Sequence, residues 1–173
     1  MSQYLLLKQG TIHNAVDEEA FVADILIEDG KIKKIAPVLE GKVINEAAVI
    51  DAMGIDVYPG FVDAHCHLGL DGYAVGFAGQ DFNELGDPVT QQLSAVDAIN
   101  PQDETFRMAR EGGVTCVSTG PGSSNVIGGT FCNIKTYGNR VDDMIVREKS
   151  AMKIAFGENP KNCYKEKCGY SRM

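Results

Sequence analysis

Two histidines one residue apart, His65 and His67, close the run Pro59-Gly60-Phe61-Val62-Asp63-Ala64-His65-Cys66-His67. The run is apolar and strand-like. In a β-strand residues i and i+2 face the same way, so the spacing predicts two imidazoles aimed at one point and Cys66 turned to the other side. Imidazole is the commonest metal-binding side chain near neutral pH, and two converging rings make half of a divalent metal site. The other reading of the spacing is a surface histidine pair. Asp63 shares the face by the same rule. There it would either accept a hydrogen bond from a ligand histidine or bond to a neighbouring backbone amide. His13, followed by Asn14, reads as an exposed histidine near a turn, and no histidine follows residue 67.

The elements that must position this pair change character along the chain. Residues 1–58 read as short strands rich in Ile, Val and Leu: Tyr4–Lys8, Val22–Glu28, Lys31–Ile35 and Val43–Asp51. Asp29-Gly30 marks a tight hairpin turn, because that dipeptide accommodates positive φ. A small antiparallel sheet is expected, too thin to hold a core alone. From residue 59 the pattern is α/β. Phe61–His67 is the first strand of this region and Val114–Ser118 the second, with a helix over Pro101–Glu111 between them, capped by Asn100 and stopped by Gly112-Gly113. Residues 69–100 form a long, Gly-rich and acidic connection, a length that marks a functional or disordered loop. Ala151–Phe156 is a third apolar unit, ending in the turn Gly157-Glu158-Asn159-Pro160, and the mixed charges of Arg140–Lys149 read as a solvated helix face. Gly120–Asn125 has the small residues of an anion cradle, but lacks the Lys-Ser or Lys-Thr of a P-loop. Gly128-Gly129-Thr130 and Lys135 have no assignable role from sequence.

The string Pro59–His67 resembles the first-strand signature of the amidohydrolase superfamily, the metal-dependent hydrolases built on a (β/α)8 barrel. Ile25–Ile32 and Val49–Ala52 resemble the small β-sandwich that precedes this barrel in the cyclic-amide hydrolases, and the likeness extends to imidazolonepropionase relatives. It implies a partial β-sandwich over 1–58 and the first β/α units of a TIM barrel over 59–173. It also implies hydrolysis of a C–N bond in a cyclic amide, amidine or similar small molecule. His65 and His67 would hold a divalent metal, zinc, and Glu158 would supply a bridging carboxylate. Lys153, carboxylated, is the rival for that role. The family completes its site with two further histidines and an aspartate base on the last barrel strand; no histidine follows residue 67 and the base is expected beyond residue 173, so the catalytic residues stay unassigned.

A full (β/α)8 barrel needs about 250 residues, and 173 are present. The sequence therefore reads as the N-terminal portion of a longer enzyme. The alternatives are a short self-contained fold, a truncated or degenerate non-catalytic fragment binding metal weakly, and one half of a split enzyme completed by a C-terminal half. Bulk properties narrow the partners. Acidic residues outnumber basic ones by 24 to 16, a net charge of −8, which argues against nucleic acid. No stretch approaches the roughly 18 apolar residues that span a membrane, and the N-terminus lacks a basic signal-peptide region. The five cysteines suit reduced thiols in a cytoplasmic protein. Cys163 and Cys168 have no second pair to complete a zinc knuckle. A small-molecule substrate is expected, with a homo-oligomer possible.

Overall fold

The Ile-, Val- and Leu-rich runs of the first sixty residues pair as strands in the computed structural model, which describes residues 3–168. The chain divides into two compact units, one ending at Pro59 and one beginning at Gly60. In the first, β1 (Tyr4–Ile12), β2 (Phe21–Glu28), β3 (Lys31–Ala36), β4 (Ala48–Asp51) and β5 (Asp56–Val57) form one sheet in the order β3-β2-β1-β4, with β5 also on β1. The β2–β3 hairpin turns through Asp29 and Gly30 at φ 50° and 76°, the conformation the dipeptide predicts. The sheet is mixed rather than antiparallel, since β4 and β5 both run parallel to β1. Val43–Asn45, expected as strand, instead form a helical turn, α1 (Lys42–Asn45). That turn lets Ile44 and Ala47 pack against buried Leu6, Leu26 and Leu39.

One buried carboxylate fixes this unit. Asp24 is fully buried and accepts hydrogen bonds from the Gln9 amide (2.9 Å), the Gln9 side chain (3.0 Å) and the Leu39 amide (2.9 Å). Gln9 sits in a bulge of β1 at φ 58°, so Asp24 holds a strained residue and the chain beyond β3 at once. Burial works to raise the Asp24 pKa. The bonds from Leu39 and Gln9, helped by the charge of Lys8, outweigh it and hold the carboxyl below its ordinary value.

In the second unit, β6 (Phe61–Cys66), β7 (Val114–Thr119), β8 (Ile127–Lys135) and β9 (Ile145–Ile154) form a sheet in that order. β6 and β7 are parallel, joined through the long segment and α2 (Glu104–Glu111), while β8 is antiparallel to both neighbours. Several expectations are corrected here. The helix begins at Glu104, not Pro101, and its cap is Asp103, whose carboxylate accepts from the Thr105 amide. Asn100 instead closes the preceding turn by accepting from the Gln102 amide. Arg140–Lys149 is a short helix, α3 (Val141–Met144), followed by the first half of β9. Gly157–Pro160 is the start of a helix, α4 (Glu158–Cys168), rather than a free-standing turn.

The long connection after His67 is ordered. Its Leu70, Ala95 and Ile99 join Phe106, Val117, Cys132, Ile134 and Met144 in one buried cluster. The Thr90 amide donates to the Ile127 carbonyl and the Thr130 amide to the Leu93 carbonyl, so the Gly-Gly-Thr segment of β8 serves as a rail for this loop. α4 holds it from another side: the buried Tyr164 hydroxyl donates towards the Glu84 and Asp87 carbonyls, which also accept from the Asn125 amide nitrogen. No helix among the described residues is long and apolar enough to cross a membrane.

Replacing Asp24 with Ala leaves the buried Leu39 amide and the partly buried Gln9 amide without their acceptor and is expected to lower stability by about 1–3 kcal/mol in denaturant unfolding. Because the folded-state pKa is depressed, the stabilisation is present above the ordinary value of 3.8 and is lost as pH falls through the lower folded value. Acid unfolding of the wild type, absent from the pH dependence of Asp24→Asn, checks it.

Candidate metal centre

Strand β6 delivers the histidines through a register change. Asp63 pairs with Val117 and Cys66 with Thr119, so three steps along β6 match two along β7, an inserted residue of β-bulge type. Cys66 beyond the bulge packs against the core, its thiol donating to the Ser118 carbonyl at 3.7 Å. His65 and His67 lie edge to face with ring centroids 5.5 Å apart. The structure thus brings together the two rings that the spacing singles out. Asp63 takes the simpler of its two expected roles: its carboxylate accepts from the His65 backbone amide at 3.0 Å and fixes the bulge.

Both rings rest on aromatic neighbours. Phe131 of β8, almost fully buried, lies 5.1 Å from the His65 ring and 6.5 Å from the His67 ring, and Phe82 stacks on His67 at 5.4 Å. His67 Nδ1 is 2.6 Å from the Gly120 carbonyl oxygen. A carbonyl only accepts, so Nδ1 carries the proton and the Nε2 lone pair is left for a ligand. Backbone carbonyls orient metal-bound histidines in this way. The Gly120 position needs glycine, because a Cβ there would fall 2.4 Å from the Phe131 ring.

Burial, the Lys153 ammonium and the neighbouring His67 together hold His65 below its ordinary pKa, with Asp63 opposing them. His65 is therefore kept in the neutral form that binds metals. Lys153 lies beside it, with Nζ 5.9 Å from the Phe131 centroid, and both line a depression with Phe131, Ser118 and Ile154. The thiols are different in kind. Burial pushes Cys66 up and Cys132 up to about 11, which makes both structural rather than nucleophilic.

Glu158 stands at the first position of α4, its carboxylate more than half exposed and 3.6 Å from the Lys161 ammonium. Among the described residues, no group of three or more His, Cys, Asp or Glu side chains comes together to hold a metal. His13 is structural, hydrogen-bonded to Asp56 at 2.9 Å and stacked on Tyr58 at 4.2 Å. The Gly120–Asn125 loop is no anion cradle: its Gly120, Gly122 and Ser124 amides donate to Cys66, Phe82 and Asn83. Sequence reasoning missed Phe131 and Phe82. Both lie in segments without strand or helix periodicity, and only the fold shows that they support the histidines.

No family model matches the chain. The amidohydrolase tasK of Hapsidospora irregularis is 32% identical over 156 residues, 83% of this chain and 16% of that protein. The dihydroorotase of Caldicellulosiruptor saccharolyticus is 42% identical over 69 residues, 40% of this chain and 16% of its own. The D-hydantoinase of Geobacillus stearothermophilus is 46% identical over 67 residues, 38% of this chain and 13% of its own. The solved structure of an amidohydrolase from Thermotoga maritima superposes with a TM-score of 0.90 at 39% identity, covering 98% of this chain and 44% of that one. The chain thus spans less than a fifth of these curated relatives and less than half of the solved structure.

The His67 ring is expected as the Nδ1–H tautomer in long-range nitrogen–proton NMR spectra, with His65 titrating below the ordinary imidazole value of 6.5. Gly120→Ala forces Phe131 aside and should abolish the tautomer preference. Detection of the Nε2–H form in the wild type would show that the Gly120 carbonyl does not set the tautomer.

Proposed function

The chain belongs to the amidohydrolase superfamily, and on that premise we propose that it carries part of the active site of a metal-dependent hydrolase opening a C–N bond in a cyclic amide, amidine or related small molecule. The observation that carries the reading is the His65–His67 pair, two rings 5.5 Å apart with His67 anchored through Nδ1 and its Nε2 left to ligate. The names of the similar dihydroorotase and D-hydantoinase point to cyclic-amide substrates.

In this reading His65 and His67 hold a divalent ion, zinc, and β6–α2–β7 is the first unit of a (β/α)8 barrel preceded by a β-sandwich. Such an ion, when bound, supplies Lewis acidity towards a carbonyl and acidifies water. The residues of this chain do the positioning. The Gly120 carbonyl fixes the tautomer of His67, the Asp63 carboxylate fixes the backbone that presents His65, and Phe131 and Phe82 pack against the rings. The carboxylate that completes the set comes from Glu158 or from Lys153 carboxylated on Nζ. The closeness of Lys153 to His65 favours the lysine.

Elemental analysis of the purified chain is expected to find near-stoichiometric zinc, lost in the His65→Ala, His67→Ala double variant. Lys153→Met should reduce the metal content more than Glu158→Gln does. A panel of hydantoins and dihydropyrimidines, assayed for ring opening with and without chelator once a C-terminal half supplies the remaining ligands and the base, tests the chemistry. A folded chain without metal would overturn the proposal in favour of a non-catalytic fragment.

A further inference from the structure

Strands β6 and β7 stop pairing where the candidate centre begins. Their last partners are Cys66 and Thr119, and His67 lies just past the end of β6. The bonds of a parallel ladder are evenly spaced. A continued register would therefore join the Leu68 amide to the Gly120 carbonyl and the Leu68 carbonyl to the Gly122 amide. Neither partner serves the ladder. The Gly120 carbonyl accepts from His67 Nδ1 at 2.6 Å, and the Gly122 amide donates to the Phe82 carbonyl at 2.6 Å.

The Leu68 carbonyl is left to the side chain of Thr119. That residue is fully buried at the end of β7, and its hydroxyl donates to the Leu68 oxygen at 2.8 Å. Leu68 packs against the core, where a carbonyl without a donor costs free energy. The hydroxyl removes that cost and lets the ladder break here. Bonds from Thr119 and Gly120 then reach three consecutive residues: the Gly120 amide to the Cys66 carbonyl (3.3 Å), the Gly120 carbonyl to the His67 ring, and the Thr119 hydroxyl to the Leu68 carbonyl. The backbone is pinned on both sides of His67 as well as at its ring.

We propose that Thr119 is a positioning residue for His67. By standing in for a ladder bond, its hydroxyl releases the Gly120 carbonyl to orient the His67 ring and the Gly122 amide to hold Phe82, whose ring stacks on it. Resting on the hydrolase reading, the same hydroxyl sets how well His67 ligates the metal.

Thr136 supplies the control. It is 1% exposed, and its hydroxyl donates to the Val114 carbonyl at 2.9 Å, at the other end of β7. Valine replaces either threonine at nearly the same shape without the hydroxyl. In the chelator-treated full chain, long-range nitrogen–proton NMR should show a single Nδ1–H form of His67 in the wild type, in Thr119→Ser and in Thr136→Val. Thr119→Val should show a mixture of tautomers. Zinc affinity, measured by competition with a chelating dye, should fall about ten-fold in Thr119→Val and stay unchanged in Thr136→Val. Thr119→Ala, which removes the hydroxyl and adds no bulk, carries the same comparison where the valine variant does not fold. A single Nδ1–H form without the Thr119 hydroxyl, equal mixing in Thr136→Val, or zinc affinity unmoved by Thr119→Val would each overturn the proposal. The tautomer comparison uses metal-free protein, so it decides the role of Thr119 by itself, whereas a wild-type chain that takes up no zinc overturns the hydrolase reading.

Discussion

Between Asp63 and Cys66 strand β6 gains one residue on its partner β7, and the candidate centre is organised by that mismatch. A regular ladder would keep strict alternation through the strand. The bulge breaks it locally, frees the His65 amide for the Asp63 carboxylate, and leaves Cys66 in the core while both rings stay out of it. Bulges bend and re-aim a strand in this way at the rims of sheets. The Gly120 carbonyl can reach His67 because β7 carries the chain to the same end of the sheet, where the Gly120 amide donates to Cys66.

Around this pair the fold supplies rigidity from unlike sources. Phe131 comes from the antiparallel strand β8, Phe82 from the long connection, and Lys153 from β9. A connection of this length would cost considerable conformational entropy to order. The offset comes from its own apolar residues in the core and from its backbone bonds to β8. The loop's order therefore has the same origin as the sheet's, and the loop carries the ring stacked on His67.

Much of this was legible in the residues. The neighbouring imidazoles were legible in the His-x-His spacing, although a bulge interrupts the alternation and His67 lies just past β6, and the Asp29-Gly30 turn followed from its tolerance of positive φ. β6, β7 and the body of α2 followed from apolar pattern and Gly stops. What the pattern hid has physical causes. β8 opens with Ile127-Gly128-Gly129, which looks like loop because glycine has no side chain to show burial. The charges of Arg147, Glu148 and Lys149 resembled a helix face because an exposed strand presents the same composition. Asn100 and Asp103 are both good caps, and the turn between them decided which one served. Nothing local could place Glu158 or Lys153 relative to His65, since that depends on the pairing of β9 with β8.

The node of Tyr164, Asn125 and the Glu84 and Asp87 carbonyls joins segments some eighty residues apart. Contacts of such separation form slowly, because the intervening chain must first be gathered. During synthesis the segment around Glu84 emerges long before α4, and until Tyr164 is made its carbonyls have only water and the Asn125 amide to bond. The corner of the acidic connection around Glu84 and Asp87 is thus closed by α4, whereas the rest of it is held by the core and by β8.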